Sequence, residues 1–164
     1  MRPDRWLSVI FLMAVSAFVT SACQANAQRS ALIEGLIREV NIHRALNGVR
    51  SLRLNAKLTA TAQKHAEDMA RGGFFDHQSP NGRSFQERVS SEGYHWQIIA
   101  ENLSAGLSSP RATSDAWMTS PGHRDNMLHR YFNEAGVGYF RPPDKGKRPQ
   151  YLHYWVILFA TSSQ

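Results

Sequence analysis

Hydrophobic residues at helical spacing mark the chain beyond its N-terminal segment. An apolar stripe at positions 33, 36, 37 and 40 predicts a helix that begins at Ser30 as its N-cap and ends before Asn47. A second stripe at positions 58, 62, 66 and 69 predicts a helix capped by Asn55 and stopped by the glycine pair 72–73. His65 lies on the apolar side of this second helix, so we expect it to be a hydrogen-bonded core residue.

Capping residues predict three shorter helices further along the chain. Ser84 and Glu87 have the spacing of a capping box, which starts a short helix that runs to Gly93. Ser109 and Ser120 each precede a proline, and proline is favoured in the first turn of a helix. We therefore expect two more helices, and we expect the hydroxyl of Ser120 to cap the second of them.

Strand-like runs dominate the second half of the chain. Residues 96–100 predict a short strand, and residues 135–140 and 151–160 predict two clear strands joined as a hairpin by a Pro/Gly/Lys-rich turn. The last run is apolar almost throughout, which is typical of a central strand covered on both faces. Helices followed by antiparallel strands indicate the α+β class.

The first 27 residues have the composition of an export signal. Two arginines precede a charge-free apolar run at 6–20, which is shorter than the about 20 residues that span a bilayer. Two cleavage sites are open. Ala25 and Ala27 form an A-x-A site, whereas the residues leading to Cys23 resemble a bacterial lipobox with Thr20 in place of the usual leucine. We expect a signal peptide at 1–27 and one domain at 28–164, either secreted or anchored through a lipidated Cys23.

Charge and cysteine content limit the partners of this domain. The net charge is +6, but the basic residues are scattered, and the densest group, at 144–148, is typical of a solvated turn, so we expect no nucleic-acid partner. Cys23 is the only cysteine, so residues 28–164 fold without a disulfide, and this length suffices for a core. We expect a monomer that meets a membrane only through a lipid anchor.

Three polar stretches contain candidate site residues. His77 lies in a loop after two aromatic residues, and Glu101 and Asn102 come just past the predicted strand at 96–100. Ser120 and His123 lie at the start of a helix, where the helix dipole favours the neutral imidazole, which can bind a metal or act as a base. Several of these residues also have a purely structural interpretation. Glu101 can accept backbone N–H bonds and tie a loop, and Asn102 and Ser120 can cap.

The ordered series of motifs resembles one family. The motifs are Asn41-x-x-Arg44, Phe75-Asp76-His77, Pro80-Asn81-Gly82-Arg83, Glu101-Asn102-Leu103, Ser120-Pro121-Gly122-His123-Arg124 and Gly136-Val137-Gly138. In that order they resemble the CAP superfamily, also called the SCP domain, which includes plant pathogenesis-related protein 1. The resemblance covers roughly residues 32–160 and is to the short, cysteine-free bacterial members in particular.

The resemblance implies a fold and a site. The fold is a three-layer α-β-α sandwich with a central antiparallel sheet, and the site is a cleft lined by two histidines and two glutamates. His77, Glu101 and His123 match three of these four positions, and Ser120 stands where the second glutamate belongs. Family members bind divalent cations, sterols, fatty acids or partner proteins. We therefore expect a non-enzymatic binding module with Asn102 and Ser120 also in the cleft and no cofactor required. The cleft holds either a divalent, zinc-like cation on His77, Glu101 and His123 or a small lipid-like ligand, and the three residues can equally form a metal-free hydrogen-bonded set.

An extracytoplasmic hydrolase is the alternative function. Ser120, His123 and Glu101 include a nucleophile, a base and an acid, and a bound metal would offer a second route to hydrolysis. Serine catalysis needs the hydroxyl hydrogen-bonded to the imidazole and a carboxylate on the other ring nitrogen. Neither a G-x-S-x-G elbow nor an H-E-x-x-H helix occurs in the sequence. Which small ligand, envelope component or partner protein the cleft holds is left open by the residues.

Overall fold

A computed structural model describes residues 4–143 and 150–163 of the chain, with side chains from residue 23 onward. The turn predicted at 144–148 falls outside the described residues. The contacts within the chain divide it into two compact units, Met1–Ala31 and Leu32–Gln164.

Helices and strands alternate along the described residues. The helices are α1 (Asp4–Leu46), α2 (Ala56–Gly72), α3 (Phe85–Ser91), α4 (Pro110–Thr119) and α5 (Pro121–Leu128). The strands are β1 (Arg53–Leu54), β2 (Trp96–Ala105), β3 (Glu134–Phe140) and β4 (Tyr154–Ser162).

The predicted start of the first helix at Ser30 is wrong, because α1 runs through this residue without a break. The residues just before it, among them Gln24, Ala25 and Ala27, are good helix formers, and no proline or glycine interrupts them. Within the first unit, Arg29 Nη2 donates to Asn26 Oδ1 at 2.7 Å. No helix among the described residues combines the length and the apolar composition that a membrane crossing requires.

Local capping fixes the ends of α2, α3 and α4 as predicted. The side chain of Asn55 accepts from the backbone N–H groups at the start of α2, and Gly73 ends this helix in the left-handed conformation at φ 66°. Ser84 and Glu87 form the reciprocal capping box of α3. Ser109 accepts from the backbone N–H of Ala112, which starts α4. These three predictions are confirmed.

The four strands form one sheet in the order β1-β3-β4-β2. The antiparallel hairpin of β3 and β4 and the central place of β4 are confirmed. No pattern in the sequence predicted β1, which adds a short parallel pairing to β3. The strand predicted at 96–100 is too short, because β2 continues to Ala105 and places Glu101 and Asn102 inside the strand. Two residues of β2 oppose one of β4 between Trp96 and Ile98, which is a β-bulge.

Two hydrophobic clusters cover the two faces of the sheet. Trp155, Ile157 and Phe159 of β4 pack with residues of α1, α4 and α5. The alternate residues of β4, including Val156 and Leu158, pack with residues of α2 and α3. Successive side chains of a strand point to opposite faces, so β4 is apolar throughout because both of its faces are covered. The α+β class and the three-layer sandwich are confirmed.

The close approach of α2 to β3 explains one motif of the sequence. A Cβ atom added at Gly136 would lie 2.0 Å from the backbone carbon of Leu58. A Cβ atom added at Gly138 would lie 2.2 Å from the carbonyl oxygen of Ala62. The Gly-x-Gly pattern therefore allows α2 to pack closely against β3. This packing explains the pattern without a role in binding.

Candidate functional site

The strand β2 directs Glu101 and Asn102 to opposite faces of the sheet. Leu103, two residues after Glu101, packs in the cluster with α2 and α3, whereas Ala100 packs against the cluster on the other face. By strand alternation, Glu101 faces α2 and α3 while Asn102 faces α4 and α5. Because β2 is at the edge of the sheet, side chains from both helical layers can meet beside it.

The carboxylate of Glu101 is buried and fully engaged. Its Oε1 lies 2.9 Å from Nδ1 of His77, and its Oε2 accepts from Nη2 of Arg88 at 2.9 Å. The side chain of Glu101 is 1% exposed, whereas that of His77 is 51% exposed. The geometry therefore brings two of the predicted site residues into contact, and about half of the His77 side chain remains exposed.

Sequence reasoning missed Arg88, which is buried between the loop of His77 and β2. Besides its bond to Glu101, its Nη1 donates to the backbone oxygen of His77 at 2.8 Å and to Oγ of Ser79 at 3.3 Å. Burial lowers the pKa of Arg88 and the nearby Glu101 carboxylate opposes this shift, but a guanidinium stays charged in a protein. The sequence contains one indication of this burial. Arg88 and Val89 follow Phe85 by three and four residues, so Arg88 lies on the apolar face of α3.

His65 holds the other end of the same loop, as a core residue. Its Nε2 lies 2.9 Å from the backbone oxygen of Asp76, the neighbour of His77. Burial lowers the pKa of His65, which favours the neutral ring, and the contact with a carbonyl requires the proton on Nε2. The prediction of a hydrogen-bonded core histidine is confirmed, and the loop that carries His77 is fixed at two successive carbonyls.

His123 is positioned from the opposite face of β2 by two amides. The Nδ2 of Asn102 donates to the backbone oxygen of His123 at 3.0 Å, and Oδ1 of Asn102 accepts from Nδ2 of Asn126 at 2.9 Å. Burial lowers the pKa of His123, and the charge of a protonated His77 lowers it further. The two imidazoles are therefore electrostatically coupled, and the neutral form of His123 is favoured near pH 7.

Ser120 occupies the N-cap position of α5, but its side chain makes no capping hydrogen bond. The predicted cap is therefore wrong. Ser120 is the single residue between α4 and α5, and it serves as C-cap of the first helix and N-cap of the second. Its backbone N–H donates to the oxygen of Trp117 at 3.2 Å, so its conformation is set by the end of α4 as much as by the start of α5.

A divalent cation needs several ligand side chains that converge on one point. Within the described parts of the chain, no group of three His, Cys, Asp or Glu side chains is arranged to hold a metal ion. The predicted ligand set of His77, Glu101 and His123 therefore stays a prediction. The contact between Nδ1 of His77 and Glu101 has the form of a carboxylate that orients a metal-binding histidine, which leaves Nε2 as the ligand atom. The described contacts thus fit Glu101 as the residue that orients His77, and they place no second ligand beside its Nε2.

The Asn41-x-x-Arg44 motif has a structural role. Asn41 exchanges two hydrogen bonds with the backbone of Leu52. Arg44 is fully buried and donates to four backbone oxygens, which belong to Arg50, Met127, His129 and Phe132. One side chain of α1 thus holds the chain around the end of α5, the helix that carries His123.

This fold, with a histidine–carboxylate pair at the edge strand of the sheet, is that of a CAP domain. The model of the cysteine-rich secretory protein family, called CAP, matches residues 37–159, and the chain belongs to this family. The uncharacterized protein YkwD of Bacillus subtilis is 31% identical over 126 residues, which are 77% of this chain and 49% of that protein. The chain therefore spans about half the length of this curated relative.

Solved structures of bacterial proteins have the same fold. An extracellular protein of Bacillus anthracis that contains a SCP domain superposes with a TM-score of 0.70 at 25% identity, over 80% of this chain and 41% of the other. An outer surface protein of Borrelia burgdorferi superposes with a TM-score of 0.70 at 18% identity, over 78% of this chain and 90% of the other. The second likeness shows the fold alone, and both proteins lie outside the cytoplasm by their descriptions.

Proposed function

We propose that this chain is an exported, non-enzymatic binding module whose cleft presents the imidazoles of His77 and His123 to a ligand. The observation that carries the proposal is the full engagement of Glu101 by His77 and Arg88. A buried carboxylate with both oxygens occupied can orient His77 but is poorly placed to exchange protons with a substrate. The site thus holds the imidazole of His77 in a fixed orientation, close enough to His123 for its charge to influence that ring.

The ligand chemistry that suits two such imidazoles is a zinc-like divalent cation. The neutral form of His123, favoured by its lowered pKa, can donate an electron pair to a metal. The exposed side of His77 offers Nε2, and water would complete a tetrahedral ion. With Ser120 in the place of a second carboxylate, we expect binding to be weak, and a small lipid-like molecule is the other occupant that the cleft could hold.

The experiment is zinc titration by calorimetry of the wild type and of a His77→Ala/His123→Ala double variant. The expected result is a measurable heat of binding that the double variant loses. His95→Ala is the matched control, because His95 is exposed and is not among the cleft residues. Equal zinc uptake by the wild type and the double variant would sink the metal-binding part of the proposal.

Export is proposed from the N-terminal pattern together with the locations of the relatives. Cys23 is exposed and unpaired by any disulfide, so its thiol is available for lipidation. The mature N-terminus separates the two modes of export. Intact-mass measurement of the protein recovered from the producing cell would show a diacylated or triacylated Cys23 if the domain is anchored, and a free Gln28 terminus if it is secreted.

One observation favours the hydrolase alternative. The hydroxyl of Ser120 is not consumed in capping α5, so it is available as a nucleophile three residues from His123. The hydrogen bond of Asn102 to His123 uses the backbone oxygen of His123 and leaves its ring free. Hydrolysis of peptide, ester or glycan substrates that disappears in Ser120→Ala would establish this function, and a purified chain silent across such panels would exclude it.

A further inference from the structure

A cavity lined mainly by polar and charged residues lies on the α2 and α3 side of the domain, and neither His77 nor His123 lines it. Its volume is about 280 Å³, and its walls are α2, the loop 79–83 and α3. Its charged lining consists of Lys64, Asp68, Arg83, Arg88 and Glu92. The cavity thus combines three cationic and two anionic groups in a space just below the about 300–1,000 Å³ common for small-molecule sites, which suits a very small ligand.

The two charges that α2 contributes are free to meet a ligand. Lys64 and Asp68 are exposed and lie one helical turn apart. Among the described residues neither makes a hydrogen bond or an ion pair within 4.0 Å, although Asp68 contributes to the field at Arg88. A cation and an anion at this spacing present two opposite charges to one side of the cavity.

The facing walls repeat the same combination of charges. Arg83 donates through Nη2 to Oγ of Ser91 at 2.6 Å, which holds its guanidinium between the loop and α3. No carboxylate lies within 4.0 Å of Arg83 in the described part of the chain, and Glu92 is exposed at the end of α3. Each wall therefore offers a molecule in the cavity an anion and a cation that has no ion pair within 4.0 Å among the described residues, although Arg83 also acts on the carboxylate of Glu87.

Arg88 forms the inner wall and is not fully satisfied by the protein. It is 7% exposed, and its Nε is buried without a hydrogen-bond partner among the described residues. A buried donor without a partner is destabilising, so a ligand or an ordered water that supplies an acceptor near this guanidinium is favoured. The same side chain holds Glu101 on its other side, so the cavity and the histidine pair share one wall.

We propose that this cavity binds a small zwitterion, namely a free α-amino acid or a dipeptide. The carboxylate would be held by Lys64 and Arg83, whose cations lack carboxylate partners, and the ammonium by Asp68 and Glu92. A carboxylate gains charge-assisted hydrogen bonds from both cations, and a molecule with a single charge would leave the opposite pair unused. The proposal does not depend on metal binding or on hydrolysis at the histidine pair.

The test is a titration of the full chain, expressed from Met1, with alanine and alanyl-alanine in the presence of EDTA. Binding is followed by chemical-shift changes of backbone amides, and acetate, methylammonium and inorganic phosphate serve as singly functional probes. The expected result is millimolar or tighter binding of the zwitterions, with shifts at residues 79–92 and about tenfold weaker binding of each single-charge probe. Equal binding of acetate or phosphate, or no shifts with either zwitterion, would overturn the proposal.

The decisive variant is the charge swap Lys64→Asp/Asp68→Lys. It keeps the net charge and keeps opposite charges at i,i+4 spacing on α2, so the helix is expected to remain stable. It reverses the order of the charges along one wall, and the zwitterion affinity should fall about tenfold or more. Arg111→Ala is the matched control, because this exposed residue of α4 is far along the chain from the cavity and should leave the affinity unchanged. Unchanged affinity in the swap would refute the assignment.

Discussion

The guanidinium of Arg88 and the carboxylate of Glu101 form a buried ion pair, with Nη2 and Oε2 2.9 Å apart and the two side chains 8% and 1% exposed. The other carboxylate oxygen contacts His77, and the other amino group of Arg88 contacts the backbone of the same residue. Arg88 therefore fixes both the side chain and the main chain of the site through one planar group. The pair explains why a half-exposed imidazole is held in place.

Removal of the cation should be costly, because it leaves a buried carboxylate uncompensated. We expect Arg88→Met to lower the free energy of unfolding by about 3–5 kcal/mol. Urea denaturation followed by circular dichroism measures this change.

The double variant Arg88→Met/Glu101→Leu supplies the control. Replacing both members of a buried pair by apolar groups is often neutral, so most of the lost stability should return. If the double variant is less stable than Arg88→Met, the carboxylate does not depend on Arg88 and the interpretation of the pair is wrong.

Two serines at equivalent N-cap positions should respond differently to alanine. Ser109→Ala removes a hydroxyl that accepts from the backbone of Ala112, and we expect a loss of about 1 kcal/mol. Ser120→Ala removes no capping bond, so its stability should stay within about 0.5 kcal/mol of the wild type. A loss at Ser120 as large as at Ser109, measured by thermal unfolding, would show that its hydroxyl does cap α5.

Stability should fall as the pH drops below about 6.5, the ordinary pKa of histidine. Burial lowers the pKa of His65 in the folded chain, Glu101 and Asp68 raise it, and Arg88 lowers it, with burial the largest effect. The unfolded chain thus binds more protons below pH 6.5, so the free energy of unfolding decreases there and is independent of this group above it. The slope for one such histidine is at most about 1.4 kcal/mol per pH unit.

The variant His65→Gln isolates this contribution. Its amide can still donate to the backbone oxygen of Asp76, but it does not titrate, so the acid slope of stability should become shallower. Denaturation midpoints measured between pH 4.5 and 7.5 give the comparison. An identical slope in both proteins would assign the acid sensitivity to other groups, such as His123 or His153, whose pKa values burial also lowers.

The contact of α2 with β3 should tolerate no side chain at Gly138. A Cβ atom there would lie 2.2 Å from the carbonyl oxygen of Ala62, so Gly138→Ala is expected to cost about 3 kcal/mol or more. Gly122→Ala is the matched control, because nothing lies within 4 Å of its added Cβ atom. In the helix α5 this change should stabilise by about 0.5–1 kcal/mol. Similar effects of the two changes on the melting temperature would contradict the close approach.

Much of the fold could be predicted because its signals are local. The caps of α2, α3 and α4 depend on side chains within three residues of the N–H groups they satisfy. The central position of β4 could be predicted because a strand covered on both faces must be apolar throughout. The order of the three layers could be predicted only from the resemblance of the ordered motifs to a known family, because no local pattern contains it.

The errors concern residues whose role depends on distant parts of the chain. Arg88 has the composition of a surface residue, and its burial is explained only by Glu101, thirteen positions away. Ser120 fits a cap by its neighbours, but its conformation is shared with the end of α4. The two residues of β1 are too few to form a pattern, and they pair with β3 some eighty positions further along.

The bulge between Trp96 and Ile98 lies at the start of β2, before the two site residues of this strand. Glu101 and Asn102 are adjacent, yet one serves the layer of Arg88 and the other the layer of His123. A slip of β2 by one position would exchange a carboxylate and an amide between these layers. The extra residue is confined to the start of β2, and the regular register from Ile98 to Ala105 keeps Glu101 on the layer of Arg88 and Asn102 on the layer of His123.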